Sequence, residues 1–64
     1  MKLIADLNRS KRFVIEHDET VGYYLYVFED GRCVRDYLQN SLDGAINFAF
    51  AQFNVPKKLW AKAD

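Results

Sequence analysis

The sequence predicts an α+β fold: a three-stranded antiparallel meander with one α-helix packed on one face (β-β-β-α) and a short C-terminal helical turn. Three observations predict it. Residues 23–29 (YYLYVFE) hold six consecutive aromatic or aliphatic residues, the pattern of a central strand. Asp30-Gly31 comes next, and an Asp-Gly pair between two strand-like runs favours a two-residue hairpin turn in which both residues take φ > 0. Leu42, Ala45, Ile46, Ala49, Phe50 and Phe53 then recur at helical spacing, with Pro56 just beyond to block continuation.

Each element has its own local reason. Residues 1–11 are the least regular. Leu3, Ile4 and Leu7 have roughly helical spacing before Asn8, Arg9, Ser10 and Lys11 break the run, so a short strand and a loosely ordered arm are both open. Residues 12–17 (RFVIEH) alternate and carry Phe, Val and Ile, which suit a pleated surface. Residues 18–22 (DETVG) read as a connecting loop. Residues 32–38 (RCVRDYL) form the return strand of the hairpin. An unbroken register from the Asp30-Gly31 turn sets Glu29 opposite Arg32, Phe28 opposite Cys33 and Val27 opposite Val34. It continues with Tyr26 opposite Arg35, Leu25 opposite Asp36 and Tyr24 opposite Tyr37. Asn40 or Ser41 caps the helix, Asp43 sits near the positive end of its dipole, and Asn54 provides a left-handed stop. Pro56 suits the first position of a short helical turn, which would fold Leu59 and Trp60 back on the core edge. The last residues, Ala61 to Asp64, are expected to fray.

Composition excludes several classes. Sixty-four residues form one small domain spanning 1–64, without a Pro/Gly/Ser-rich linker or internal repeat. A lone cysteine, Cys33, permits no internal disulfide, and with one histidine it falls short of the four ligands of a structural zinc site. Stability must then come from packing or self-association. Nine Lys+Arg balance nine Asp+Glu, so the chain has no global phosphate-binding footprint. Met1-Lys2-Leu3-Ile4-Ala5-Asp6 is too short for the apolar region of a signal peptide. No stretch approaches the ~18 apolar residues of a membrane span. With an unpaired cysteine, this points to the cytoplasm.

Catalytic constellations are not visible. His17 lies at a strand end and Cys33 at the far end of the hairpin, too far apart for a nucleophile–base pair. Cys33 reads as a small apolar residue. The run Glu16-His17-Asp18-Glu19 reads as a solvated loop, not a metal site, and no Gly-rich phosphate loop occurs. The chain is therefore expected to be non-enzymatic, with no cofactor and no metal.

One sheet face remains. A three-stranded sheet is about 14 Å wide, and one helix about 10–12 Å across covers a single face. The unbroken register divides the side chains. One face carries Val14, Leu25, Val27, Val34 and Leu38 with Tyr23, Glu29, Arg32 and Asp36. The other carries Tyr24, Tyr26, Phe28, Cys33, Arg35 and Tyr37, joined by Phe13 and Ile15 if the first hairpin matches. The aliphatic face is expected to meet the helix, because Tyr hydroxyls want water or a partner. The reverse arrangement would leave a more polar face outside, with Glu16, Glu29, Arg32 and Asp36. With the aromatic face outward, Tyr24, Tyr26, Phe28, Arg35 and Tyr37 are the candidate partner-binding residues, of types enriched at interface centres. The expected function is a protein-interaction module, self-associating as a homodimer or binding another protein. The alternative is nucleic-acid binding, with the same aromatics stacking bases and the basic clusters Arg9, Lys11, Arg12 and Lys57, Lys58, Lys62 on phosphates. Interspersed acids make it the weaker reading. Phe48 lies well off the helix stripe and is expected to touch the N-terminal arm.

The order Gly-Tyr-Tyr-Leu-Tyr-Val (22–27), Asp-Gly (30–31) and Phe-Asn-Val-Pro-Lys-Lys-Leu-Trp (53–60) resembles a family of short uncharacterised bacterial proteins. The resemblance runs from Gly22 to Trp60, 39 of the 64 residues. It implies a bacterial source and a strand–strand–helix unit, and no mechanism. A looser similarity links Ser41-Leu42-Asp43-Gly44-Ala45-Ile46-Asn47 to the small domain of HicB-type antitoxins. That domain's longer central segment is missing here, so no function is carried over.

Overall fold

The computed structural model describes residues 1–63. The sheet has five strands, not three: β1 (Lys2–Asp6), β2 (Lys11–Asp18), β3 (Gly22–Glu29), β4 (Arg32–Gln39) and the two-residue β5 (Ala61–Lys62). All pairings are antiparallel, in the order β4-β3-β2-β1-β5. The helix α1 (Leu42–Phe53) and a single 3-10 turn (Lys57–Leu59) separate β4 from β5.

The three-stranded meander is thus corrected at both ends of the chain. Residues 2–6 are a strand, not an arm, because Leu3 and Ala5 face the core while Lys2, Ile4 and Asp6 face the opposite side. Adjacent Leu3 and Ile4 imitate helical spacing because the strand has apolar contacts on both faces. A side-chain-capped turn joins it to β2. The Asn8 Oδ1 accepts from the Ser10 and Lys11 N–H groups at 3.0 and 2.9 Å. At the other end, residues 61–62 do not fray but add to the β1 edge, with Leu3 opposite Lys62 and Ile4 opposite Ala61; Asp64, also expected to fray, lies outside the described residues.

The Asp30-Gly31 turn forms as its sequence requires, with φ of 53° and 83°. The first two pairs beyond it, Glu29–Arg32 and Phe28–Cys33, keep the expected register. The ladder then slips by one residue. Val34 is the extra residue of a β-bulge, and Val27 faces Arg35, Tyr26 faces Asp36, Leu25 faces Tyr37 and Tyr24 faces Leu38. A slip of one residue exchanges faces. Arg35 and Tyr37 therefore turn to the helix side, and Asp36 and Leu38 turn away from it.

The core lies between the sheet and α1. Phe13, Ile15, Leu25 and Val55 are its largest fully buried side chains, joined by Ala5, Val27, Ala45 and Ala49. Of the aliphatic set expected under the helix, only Leu25 and Val27 arrive there. Val14 lies in a row of the open face, buried among its neighbours there (6% exposed), and Val34 and Leu38 are about half exposed (47% and 49%). Phe13 and Ile15 take their place because β2 pairs with β3 as Phe13–Val27 and Ile15–Leu25. Ser41 caps α1, its Oγ accepting the Gly44 N–H at 2.9 Å, and Asn54 closes it in the left-handed conformation (φ 59°). The two alanines let the helix approach β3 and β4 closely. The ring contacts of Phe48, expected against the N-terminal arm, are made on the β4 side of the core. Phe48 packs on Tyr37, centroids 4.7 Å apart, and both rings meet Phe53. Phe50 leaves the expected stripe; it is half exposed, with the Lys57 ammonium 5.3 Å over its ring.

Candidate interaction surface

The face opposite the helix has no cover among the described residues. Strand register arranges its side chains in three rows that cross β1, β2, β3 and β4. The outer rows are Lys2–Glu16–Tyr24–Leu38 and Asp6–Arg12–Phe28–Cys33, and the middle row is Ile4–Val14–Tyr26–Asp36. Apolar and aromatic residues fill the centre and one side; charges occupy β1 and the outer positions of β2, with Asp36 at the β4 edge. An apolar block edged by charges is the anatomy of a protein interface, and monomers rarely expose such a block without use.

Three shallow clefts run along this face, of about 710, 460 and 300 Å³. The largest opens between the Asn8–Ser10 turn and the side chains of Ile4, Arg12, Val14 and Phe28. The smallest is the most apolar, between Val14, Tyr26, Phe28 and Cys33. None is enclosed, so the face suits a broad surface better than a small molecule.

The electrostatics are local. Arg12 Nε donates to Asp6 Oδ1 at 2.6 Å, and Nη2 donates to Oδ2 at 3.2 Å. This two-pronged pair holds the Asp6 carboxyl below its ordinary pKa, chiefly through the hydrogen bond from Arg12 and also through its charge. Tyr24 and Tyr26 stack along β3, centroids 5.8 Å apart. The Tyr26 phenol is pushed up by desolvation first, then by the Glu16 carboxylate and by Tyr24, Asp36 and Cys33 around it. Tyr26 is thus the meeting point of the face.

Of the five residues expected to form the contact surface, the structure brings together Tyr24, Tyr26 and Phe28. Arg35 and Tyr37 are not with them: the Val34 bulge sends both to the helix side, where Tyr37 packs on Phe48 and Phe53 and Arg35 is exposed at the edge. Sequence reasoning missed Ile4, Val14 and Leu38. The alternation in residues 2–6 could have found Ile4; nothing in residues 32–38 marks the bulge that brings Leu38.

Of the basic clusters, Arg12 lies in an outer row of this face and Arg9 lines its largest cleft, while Lys57 and Lys62 lie away from it. Arg12 is engaged by Asp6, and the Lys11 ammonium is 3.6 Å from Glu29. Lys57 stands over Phe50 on the helix layer, and Lys62 is paired beside Leu3, a core-side residue. His17 stacks on Tyr23 at 4.4 Å, and the Asp18 Oδ1 is used by the Thr20 and Val21 N–H groups. Among the described residues no group of three or more His, Cys, Asp or Glu is placed to hold a metal ion. No helix among them is long and apolar enough to cross a membrane.

Comparison with known proteins adds no relative: no family model, curated protein or solved structure matches this chain.

Proposed function

We propose that this chain is a non-enzymatic protein-interaction module that binds through the open face of its sheet. The observation that carries the reading is the block formed by Ile4, Tyr24, Tyr26, Phe28 and Leu38 around Val14, itself only 6% exposed, four strands wide and left without cover by the helix. Aromatic rings supply contact area at low entropy cost, and the rim charges set orientation. Arg35 and Tyr37 drop out of the binding set, and Ile4, Val14 and Leu38 enter it. Nucleic-acid binding is disfavoured because the rows hold two cations, Lys2 and Arg12, against three acids, Asp6, Glu16 and Asp36. The same reading assigns the protein to the cytosol, on its unpaired cysteine, and to a family of short bacterial proteins, on the residues from Gly22 to Trp60.

The test is a photo-crosslinking phenylalanine analogue placed at Tyr26 in living cells, with the same analogue at exposed Asn47 on the helix as control. A discrete protein adduct from position 26 and none from position 47 is expected. Absence of any protein adduct at 26, or adducts to nucleic acid only, overturns the reading.

A further inference from the structure

Resting on the reading of the open face as a protein contact surface, we infer that its occupant is the same face of a second copy. The two copies are related by a two-fold axis that runs along the middle row, Ile4–Val14–Tyr26–Asp36. The charge pattern carries the inference. The outer rows lie about 7 Å to either side of the middle row, two strand residues away in each direction. On β1 the two outer residues are Lys2 and Asp6; on β2 they are Glu16 and Arg12. Both strands therefore carry opposite charges at equal distances from the same line, with the sign order reversed between them. Rotation about that line lays Lys2 over Asp6 of the other copy and Glu16 over its Arg12. Each pairing occurs twice, giving four cross-copy ion pairs without a like-charge clash on these strands.

The uncharged positions agree. The same rotation sets Tyr24 against Phe28 and Leu38 against Cys33, aromatic on aromatic and apolar on apolar. Asp36 meets its own counterpart only at the exposed β4 edge, where solvent screens it. A two-fold axis along the strands does worse. It would stack Lys2 on Leu38, Ile4 on Asp36 and Arg12 on Phe28, burying charges without partners. The favoured axis leaves the strands of the two sheets aligned, as in a sandwich with layers about 10 Å apart and a twist near 30°. Lys2 and Arg12 are long enough to accommodate the offset that twist introduces.

Extent and edges point the same way. Four strands at ~4.8 Å spacing and about six residues of length give a footprint of ~19 by ~20 Å. Two such faces, with their side-chain relief, reach the order of 1,000 Å² that a specific interface needs. Edge-to-edge growth is discouraged, since β4 is bulged at Val34 and carries Arg32, Arg35 and Asp36, while β5 is two residues long.

The experiment measures mass by sedimentation equilibrium across micromolar to millimolar concentrations. The wild-type chain is expected to move from 7.5 kDa toward twice that mass. Glu16→Lys and Arg12→Glu, both at exposed positions, should each weaken association by about tenfold or more, because like charges then meet twice per dimer. Mixing the two variants in equal amounts should restore association. Lys at 16 of one copy then faces Glu at 12 of the other, and the remaining pair is the native Arg12–Glu16. Circular dichroism checks that each variant is folded. A wild-type monomer at every concentration, single variants that associate as the wild type does, or a mixture that fails to recover would each overturn the second-copy inference. A monomer whose position 26 still crosslinks to a different protein leaves the interaction-module reading intact; a monomer without any protein adduct removes both.

Discussion

Asp6 and Arg12 show how one exposed pair is set by strand register. They sit directly opposite on β1 and β2, so the guanidinium reaches both carboxylate oxygens without reorienting either strand. The folded-state pKa of Asp6 is lowered, so the pair's contribution is present above the unfolded carboxylate range and is lost as pH falls through the lowered value. An NMR titration should find the Asp6 midpoint below that of an unpaired aspartate, and Arg12→Gln should raise it. An unchanged midpoint in the variant would show that the hydrogen bond is not its cause. Two glycines give a second contrast at this scale. Gly22 has φ 130°, and an added Cβ would lie 2.5 Å from the Gln39 carbonyl oxygen. Gly31 has φ 83° and open space around it. Gly31→Ala carries only the backbone penalty, on the order of 1 kcal/mol. Gly22→Ala adds a backbone clash and should cost clearly more, about 3 kcal/mol. Urea unfolding midpoints of the two variants decide it, and equal losses would mean that the β3–β4 start gives way without strain.

At the scale of elements, the β3–β4 hairpin and α1 were legible in the sequence because local chemistry specifies them. Asp30-Gly31 favours a turn with two positive φ values, and Ser41 and Asn54 are suited to the two ends of one helix. The strand at 2–6 was not settled because adjacent Leu3 and Ile4 imitate helical spacing, and the strand at 61–62 was not legible because its reason is a partner at the other end of the chain, β1. The bulge was not legible either. Cys33, Val34 and Arg35 are all strand-compatible, and the slip is favoured by the placement of residues beyond it: Tyr37 reaches the helix and Asp36 avoids it. Deleting Val34 should give a regular ladder with the same facing pairs, so the domain should still fold and retain NOEs between Tyr37 and Phe48. Unfolding would show that the bulge's added twist is itself required. Phe48→Ala should cost on the order of 2 kcal/mol through loss of the Tyr37 and Phe53 contacts. Phe50→Ala, at a half-exposed ring, should cost well under that, although both residues look equally apolar in the sequence. Chemical denaturation of the two variants compares them, and equal losses would mean that the Phe48 cluster adds nothing beyond ordinary surface packing.

For the whole molecule, the layers explain why a chain this short would need its second face. At this length a fold buries only about 60% of the surface its unfolded chain exposes. The described residues supply one core, with four large side chains fully buried and no disulfide to constrain the unfolded state. An apolar block left on the other side of the sheet is then a second reserve of burial, used only when that face is closed. If a second copy closes it, dimerisation and folding are linked, and stability depends on concentration. At a protein concentration about a hundredfold above the dissociation constant, association adds roughly 2–3 kcal/mol to the folded state. For a domain of this size that corresponds to a Tm shift on the order of 10 °C. Diluting the wild-type protein a hundredfold from that point should therefore lower its Tm by about that much. The Glu16→Lys variant should melt near the dilute wild-type temperature and show little dependence on concentration. Added salt should narrow the gap by screening the rim pairs, while the apolar centre of the face persists. A wild-type Tm that is flat across the dilution series would place all of the stability in the helix–sheet core, and the open face would then contribute nothing to folding.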